Sequence, residues 1–255
     1  MSIAASNCRL CRRAPGTIVP LTPLQFQMWR EDFDSGNAMS SRLPTLSARI
    51  LGPFDIDLLR QTIGELTARH ESLRTRIDSS EGIPHQCVDR SYGGYIELVD
   101  LHKEGSASPA EAATHHVQSY MYETVDLSRG PLFHGRVFRL AEGDHVLALS
   151  LHHLVGDGMS NMILNREIWM LYAEQLTRTK SSMPDLPVQF ADYAVWQQQT
   201  ASLWMHEHAS YWRSRFRGSS QLHLPRVTEH SRAPPSAAEI HLSLGKQLTI
   251  RLREL

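Results

Sequence analysis

The chain has 255 residues, 41% hydrophobic and 21% charged, with a formal net charge of -1, a composition that can bury a substantial core. That balance excludes a disordered or fibrous chain and gives no electrostatic reason to expect nucleic acid or an anionic membrane as a partner. No apolar run approaches a membrane span and the N-terminus lacks the apolar core of a secretory signal, so a cytoplasmic location is expected.

Residues 1–18 read as a flexible N-terminal extension, interrupted by Pro15 and Gly16. Cys8-Arg9-Leu10-Cys11 has the spacing of half a zinc or redox site. The remaining cysteine, Cys87, stands alone and no closely spaced Cys/His pair completes the set, so no metal is expected. Residues 21–29 predict a short helix with Thr22 as its cap, Pro23 at its first position, and Leu24, Phe26 and Met28 facing inward. Leu46–Leu51 alternates as a strand, Gly52-Pro53 ends it, and Asp55 or Asp57 opens a helix carrying Leu58, Leu59, Ile63 and Leu66. Three strands follow, at 73–77, 86–88 and 95–99, and Ser108-Pro109 opens a helix to about Tyr122.

Leu132–Leu140 and Val146–Leu151 predict a hairpin turned at Gly143-Asp144. Beyond it Met162, Ile163, Ile168, Leu171, Tyr172 and Leu176 keep helical spacing, and a second helix runs from Phe190 to about Phe216. Residues 218–238 read as a proline-bearing linker, Glu239–Leu244 as a strand, and Gly245 onward as a helix. Strands and helices mix without strict alternation, which gives an α/β or α+β class with a mixed sheet.

The second strand of the hairpin delivers His152-His153-Leu154-Val155-Gly156-Asp157-Gly158 to a loop. Histidine exchanges a proton near neutral pH without large tuning, so His152 and His153 are candidates for general base work. Neighbours in an extended segment point to opposite faces, so only one of the two can face a given cavity. Asp157 could orient an imidazole or hold the loop by pairing with an arginine, and the residues alone leave both roles open. No Gly-x-Ser-x-Gly elbow supplies a serine nucleophile, and adjacent histidines are poorly placed to share one metal ion.

His152 to Gly158 fits His-His-x-x-x-Asp-Gly, and here the chain resembles the acyltransferases related to chloramphenicol acetyltransferase. Wax ester synthases, polyketide-associated acyltransferases and epimerisation domains share that motif. Four further matches in order make it similar to the condensation domains of nonribosomal peptide synthetases. Leu21-Thr22-Pro23-Leu24-Gln25 to Trp29 resembles their first motif and Arg69-His70-Glu71-Ser72-Leu73-Arg74-Thr75 their second. Val125-Asp126-Leu127-Ser128-Arg129-Gly130-Pro131-Leu132 resembles the segment before the histidine strand, and Phe190-Ala191-Asp192-Tyr193-Ala194-Val195-Trp196 fits the fourth motif.

The resemblance implies a chloramphenicol-acetyltransferase-like two-layer sandwich with a mixed sheet, the N-terminal half of a condensation domain over residues 19–217, and the start of a second half over 239–255. It implies amide formation between acyl and aminoacyl thioesters tethered by phosphopantetheine to carrier proteins, with no cofactor and no metal bound by the chain itself. His153 is then the active-site residue. Asp157 and Arg74 form an ion pair that holds the loop, Gly158 brings a backbone amide close to the substrates, and His152, Arg69, His70 and Glu71 serve packing. Three states follow for a chain of about half the family's length: a fragment of a longer synthetase, an assembly with a second subdomain or with itself, or an inactive remnant that binds a carrier protein. A stand-alone transferase using acyl coenzyme A is a further alternative.

Overall fold

The computed structural model describes residues 9–34, 42–103, 108–121, 123–130, 132–179, 183–220 and 242–254. Its centre is a four-stranded sheet in which β7 (Asp144–His152) lies between β2 (Arg42–Leu51) and β6 (Phe133–Ala141), with β5 (Ile96–Asp100) outermost. β6 and β7 are the expected hairpin, β2 pairs antiparallel with β7, and β5 runs parallel to β6, so the sheet is mixed. A smaller antiparallel sheet orders β1 (Val19–Pro20), β4 (His85–Val88) and β3 (Thr75–Asp78).

The alternation of β7 is apolar on both sides, because both of its faces are covered. Leu147, Leu149 and Leu151 pack with Leu59, Ile63 and Leu66 of α2 (Ile56–Arg69) and with Leu164, Ile168 and Leu171 of α4 (Gly158–Thr177). On the other face Ala148 and Phe138 meet Ala113 and Tyr120 of α3 (Pro109–Met121). Each fully buried Leu or Ile contributes roughly 1.5–3 kcal/mol relative to exposure, so the stack of α2 and α4 on β7 is the main cohesive unit. Asp55 caps α2 by accepting from the Leu58 N–H, as its sequence position predicts.

Four expectations shift. The stretch 73–77 does not begin as a strand: Glu71–Arg74 forms a 3₁₀ turn, with the Leu73 N–H on the His70 carbonyl, before β3 starts at Thr75. α1 extends from Pro23 to Asp34, and its inward face carries Gln25, Met28, Trp29 and Asp32, while Leu24 and Phe26 are exposed. In α4 the buried face is Leu164, Glu167, Ile168 and Leu171, and Met162 and Leu176 lie outside. Periodicity placed only apolar residues inward, whereas both helices bury polar ones that have partners.

The fourth shift concerns the N-terminal extension. Arg12 donates to the carbonyls of Leu186 and Pro187, and Arg13 is seated between Asp192 and Glu71, so this part of 1–18 is tied to the fold. Residues 1–8, with Cys8, lie outside the described residues, as do 221–241 with most of the expected linker and the first part of the strand at 239–244. Leu242, Ser243 and Leu244 have no regular structure.

The chain divides into two compact units, 1–209 and 210–255, the division falling within α5 (Phe190–Arg215). The second unit contains α6 (Lys246–Arg253), none of whose residues is buried. No helix among the described residues is long and apolar enough to cross a membrane.

Candidate active site

β7 ends on His152, and His153 opens the turn that follows it. His152 is 1% exposed. Its N–H donates to the Leu132 carbonyl at 2.8 Å, and its Nδ1 accepts from the Leu154 N–H at 3.2 Å. That acceptor role places the proton of a neutral ring on Nε2, which faces the Asp32 carboxylate at 3.7 Å. Burial, with Glu31 close by, raises the Asp32 carboxyl above its ordinary range. His153, one residue on, is half-buried, and its ring forms no hydrogen bond with any described residue. Of the two, it is the imidazole available to something outside the chain.

The expected Asp157–Arg74 ion pair is absent. Asp157 is the N-cap of α4: its carboxylate accepts from the Ser160 N–H and hydroxyl, both at 2.8 Å, and the Ser160 oxygen accepts from the Asp157 N–H in return. Those donors hold its carboxyl below the usual range. Arg74 turns the other way and donates to the Thr67 carbonyl at 3.0 Å, fastening the 3₁₀ turn to the end of α2. The correction has a local cause, since an Asp followed three residues later by Ser before a helix is satisfied by its own turn.

The glycine that packing requires is Gly156 rather than Gly158. A Cβ on Gly156 would run into Leu151 Cδ2 and come within 3.2 Å of Ser160 Cβ. A Cβ on Gly158 would meet nothing within 4 Å, so none of the described residues crowds that position. Gly156→Ala is therefore expected to destabilise the fold by about 1–3 kcal/mol, and Gly158→Ala to change stability by under about 0.5 kcal/mol, read from chemical denaturation. Equal effects would refute this assignment.

The loop is held from three sides by residues of the other motifs. From α1, Gln25 forms a reciprocal cap with Thr22 and sends its amide Nε2 to the Leu154 carbonyl at 2.7 Å. From the stretch 125–132, Leu132 receives the His152 N–H. From the second motif, Arg69 Nε at 3.1 Å and His70 Nε2 at 2.6 Å converge on Glu167 Oε2, buried in the middle of α4. The packing role assigned to Arg69 and His70 thus has a definite form: they clamp the helix that the histidine loop opens.

The second and fourth motifs are in turn joined. Gln189 accepts from the Glu71 N–H and donates to the Arg69 carbonyl, while Asp192, at the start of α5, accepts from the Gln189 N–H at 2.7 Å. The Arg13 guanidinium bridges Asp192 at 2.7 Å and Glu71 at 2.8 Å. Burial opposes ionisation of Asp192, but the N–H groups of Gln189 and Arg13 and the Arg13 guanidinium outweigh it and keep its carboxyl below the usual range. A depressed carboxyl adds stability that is complete above its unfolded value, about 4, and disappears as pH falls through the folded value. Arg13→Ala is expected to cost roughly 1.5–3 kcal/mol near neutral pH, with the difference from the parent narrowing below about pH 4. Urea unfolding at several pH values measures it, and a pH-independent difference would count against the Arg13–Asp192 bond.

Sequence reading missed Gln25, Asp32, Glu167 and Arg13. Gln25, Asp32 and Glu167 are buried polar residues on the inward faces of α1 and α4, Asp32 beyond the helix expected over 21–29. Arg13 lies in a segment with no periodicity and carried no signal. At the histidine loop the described residues assemble no group of three metal-capable side chains; the one such group lies at Asp78, His85 and Cys87 on the smaller sheet.

The condensation-domain family model matches residues 16–255. The chain is 32% identical over 241 residues to the phosphinothricin tripeptide synthetase PhsC of Streptomyces viridochromogenes, an alignment covering 93% of this chain and 22% of that protein. It is 30% identical to the dimodular nonribosomal peptide synthase of Bacillus subtilis, an alignment covering 100% of this chain and 11% of that one. Among solved structures the fold is similar to the X-domain in complex with OxyB from teicoplanin biosynthesis, with a TM-score of 0.75 at 24% identity over 85% of this chain and 47% of that chain. It is also similar to the starter condensation domain of rhizomide synthetase, with a TM-score of 0.70 at 17% identity over 80% and 49% of the two chains. The chain thus spans about half of the solved domains and a small part of the synthetases it matches. With the family model covering all but the first residues, the chain belongs to the condensation-domain family of nonribosomal peptide synthetases.

Proposed function

We propose that this chain is the histidine-bearing half of an amide-forming acyltransferase whose two substrates arrive as thioesters on carrier proteins. The amine of an aminoacyl thioester attacks the carbonyl carbon of an acyl or peptidyl thioester, a C–N bond forms, the C–S bond breaks, and the amine proton is delivered to the departing thiolate. His153 is the group placed at the amine, to hold it and to receive its proton. The observation that carries this reading is the division between the two histidines: His152 is locked inside the loop, while His153 is half-exposed and its ring bonds no other described residue.

The reading includes a second half. Phe26 and Ile83 are 44% and 78% exposed and, with Pro20, Leu21, Pro23 and Pro84, line an open apolar groove on the same unit. An apolar surface of this kind supports the view that the chain works against another subdomain. The X-domain, similar in fold, is seen in complex with OxyB, and it motivates a second reading in which this chain recruits a partner without catalysing.

Offering a carrier-bound acyl donor and the same acyl group on coenzyme A side by side, with a carrier-bound aminoacyl acceptor, tests the proposal. Amide formation from the carrier-bound donor alone is expected. Equal use of both donors would point to a stand-alone acyltransferase, and binding of loaded carrier protein with no turnover, with or without His153, would favour the recruiting module.

A further inference from the structure

We infer that Asp78, His85 and Cys87, on the paired strands β3 and β4, form a site for a divalent transition metal, zinc by the nature of the donors, remote in role from the histidine loop. The antiparallel register sets Asp78 opposite His85 and Arg76 opposite Cys87. Side chains directly opposite each other, and those two residues apart along one strand, share a face, so all four project from the same side of the small sheet. Ile77 and Gln86, between them, are the buried residues of the other face.

One potential ligand atom from each of Asp78, His85 and Cys87 lies within 4.8 Å of the other two. Zinc bonds of about 2.0–2.3 Å to nitrogen, oxygen and sulfur require ligand atoms roughly 3.4–3.6 Å apart in a tetrahedron. Side-chain rotation on a fixed ladder suffices to close that gap. All three residues are half-buried, partly withdrawn from water yet reachable by an ion.

The surrounding groups prepare two of the ligands. A carbonyl can only accept, so the 3.3 Å contact between His85 Nδ1 and the Ile83 oxygen puts the ring proton on Nδ1 and leaves the Nε2 lone pair for a metal. Asp78 accepts from the N–H at 2.9 Å and hydroxyl at 2.7 Å of Ser80, an outer shell that orients the carboxylate. Metal binding would deprotonate the Cys87 thiol, releasing one proton as the metal–sulfur bond forms. Arg76 is the competing cation, at 3.2 Å from Asp78, but the same guanidinium nitrogen also donates to the Ser128 carbonyl at 3.3 Å and keeps that partner if the metal takes its place.

One thiolate, one imidazole and one carboxylate are a borderline-soft set that suits zinc, with water in the fourth position. The ion would staple the two strands of the β3–β4 pair across their turn. The test is cobalt(II) titration of the full chain followed by zinc competition. One equivalent of cobalt with a thiolate-to-metal charge-transfer absorption, displaced by zinc, is expected. The signal should vanish in Cys87→Ser, persist when Cys8 and Cys11 are both replaced by serine, and need at least about tenfold more metal in His85→Gln. Absence of a thiolate band in the parent, or its survival in Cys87→Ser, overturns the site. So does its loss in the Cys8/Cys11 variant, which would assign the metal to the N-terminal pair.

Discussion

Replacing His153 with alanine is expected to lower single-turnover amide formation between carrier-bound donor and acceptor by about 10²–10⁴-fold, the usual contribution of a positioned acid–base group. The same change should leave folding stability within about 0.5 kcal/mol, because the ring is half-exposed and bonds no other described residue. The contrast with its neighbour makes the result diagnostic. His152→Ala removes a ring that is 1% exposed, accepts the Leu154 N–H and faces Asp32, so it should lower stability measurably, and activity through the misplaced loop. Asp157→Ala removes a helix cap and should cost about 0.5–2 kcal/mol with a smaller loss of rate. If His153→Ala turned over at the parental rate, the assignment of the reactive imidazole would fail, whatever the other variants did.

Glu167→Leu is expected to have the largest effect on stability, roughly 3–5 kcal/mol, the cost of removing one member of a buried ionic cluster. Glu167 is 3% exposed, and its Oε2 receives both Arg69 and His70. The leucine itself would fit an apolar helix face, so the loss would come from the Arg69 guanidinium and the His70 ring left without their shared acceptor. Arg69 keeps a second partner, the Pro184 carbonyl at 2.7 Å, whereas the His70 ring bonds Glu167 alone among the described residues. Two double-mutant cycles therefore distinguish the contributions: adding His70→Leu should recover part of the loss, and adding Arg69→Leu less. Chemical denaturation measures all six states. Because α4 starts at the Asp157 cap, the variant should also loosen the histidine loop, seen as faster amide hydrogen exchange at Leu154 and Val155. Additive energies in both cycles would mean that the cluster is a set of neighbours and not a clamp.

Much of the site is legible in the chain. The hairpin that delivers the histidine loop follows from two alternating apolar runs around Gly143-Asp144, whereas His153 lies one residue past the strand, in a turn. Asp55, Thr22 and Pro23 open helices where their side-chain chemistry predicts. Periodicity misplaced the inward faces of α1 and α4 because it scores a buried position by its apolarity, and Gln25, Asp32 and Glu167 are buried with polar partners that lie far away in sequence. The Asp157–Arg74 pair came from motif resemblance alone, and a local bond with Ser160 displaced it.

By itself, then, the sequence determined the mixed class, the order of the elements and the family, since each depends on local periodicity, turn chemistry or motif order. Only the tertiary structure decided what holds the histidine loop in place. Gln25 on Leu154, Arg69 and His70 on Glu167, and Arg13 between Glu71 and Asp192 are all contacts between residues distant in the chain. Such pairs leave no periodic trace, because a buried polar group is set by the geometry of its partner and not by the hydrophobicity of its own segment.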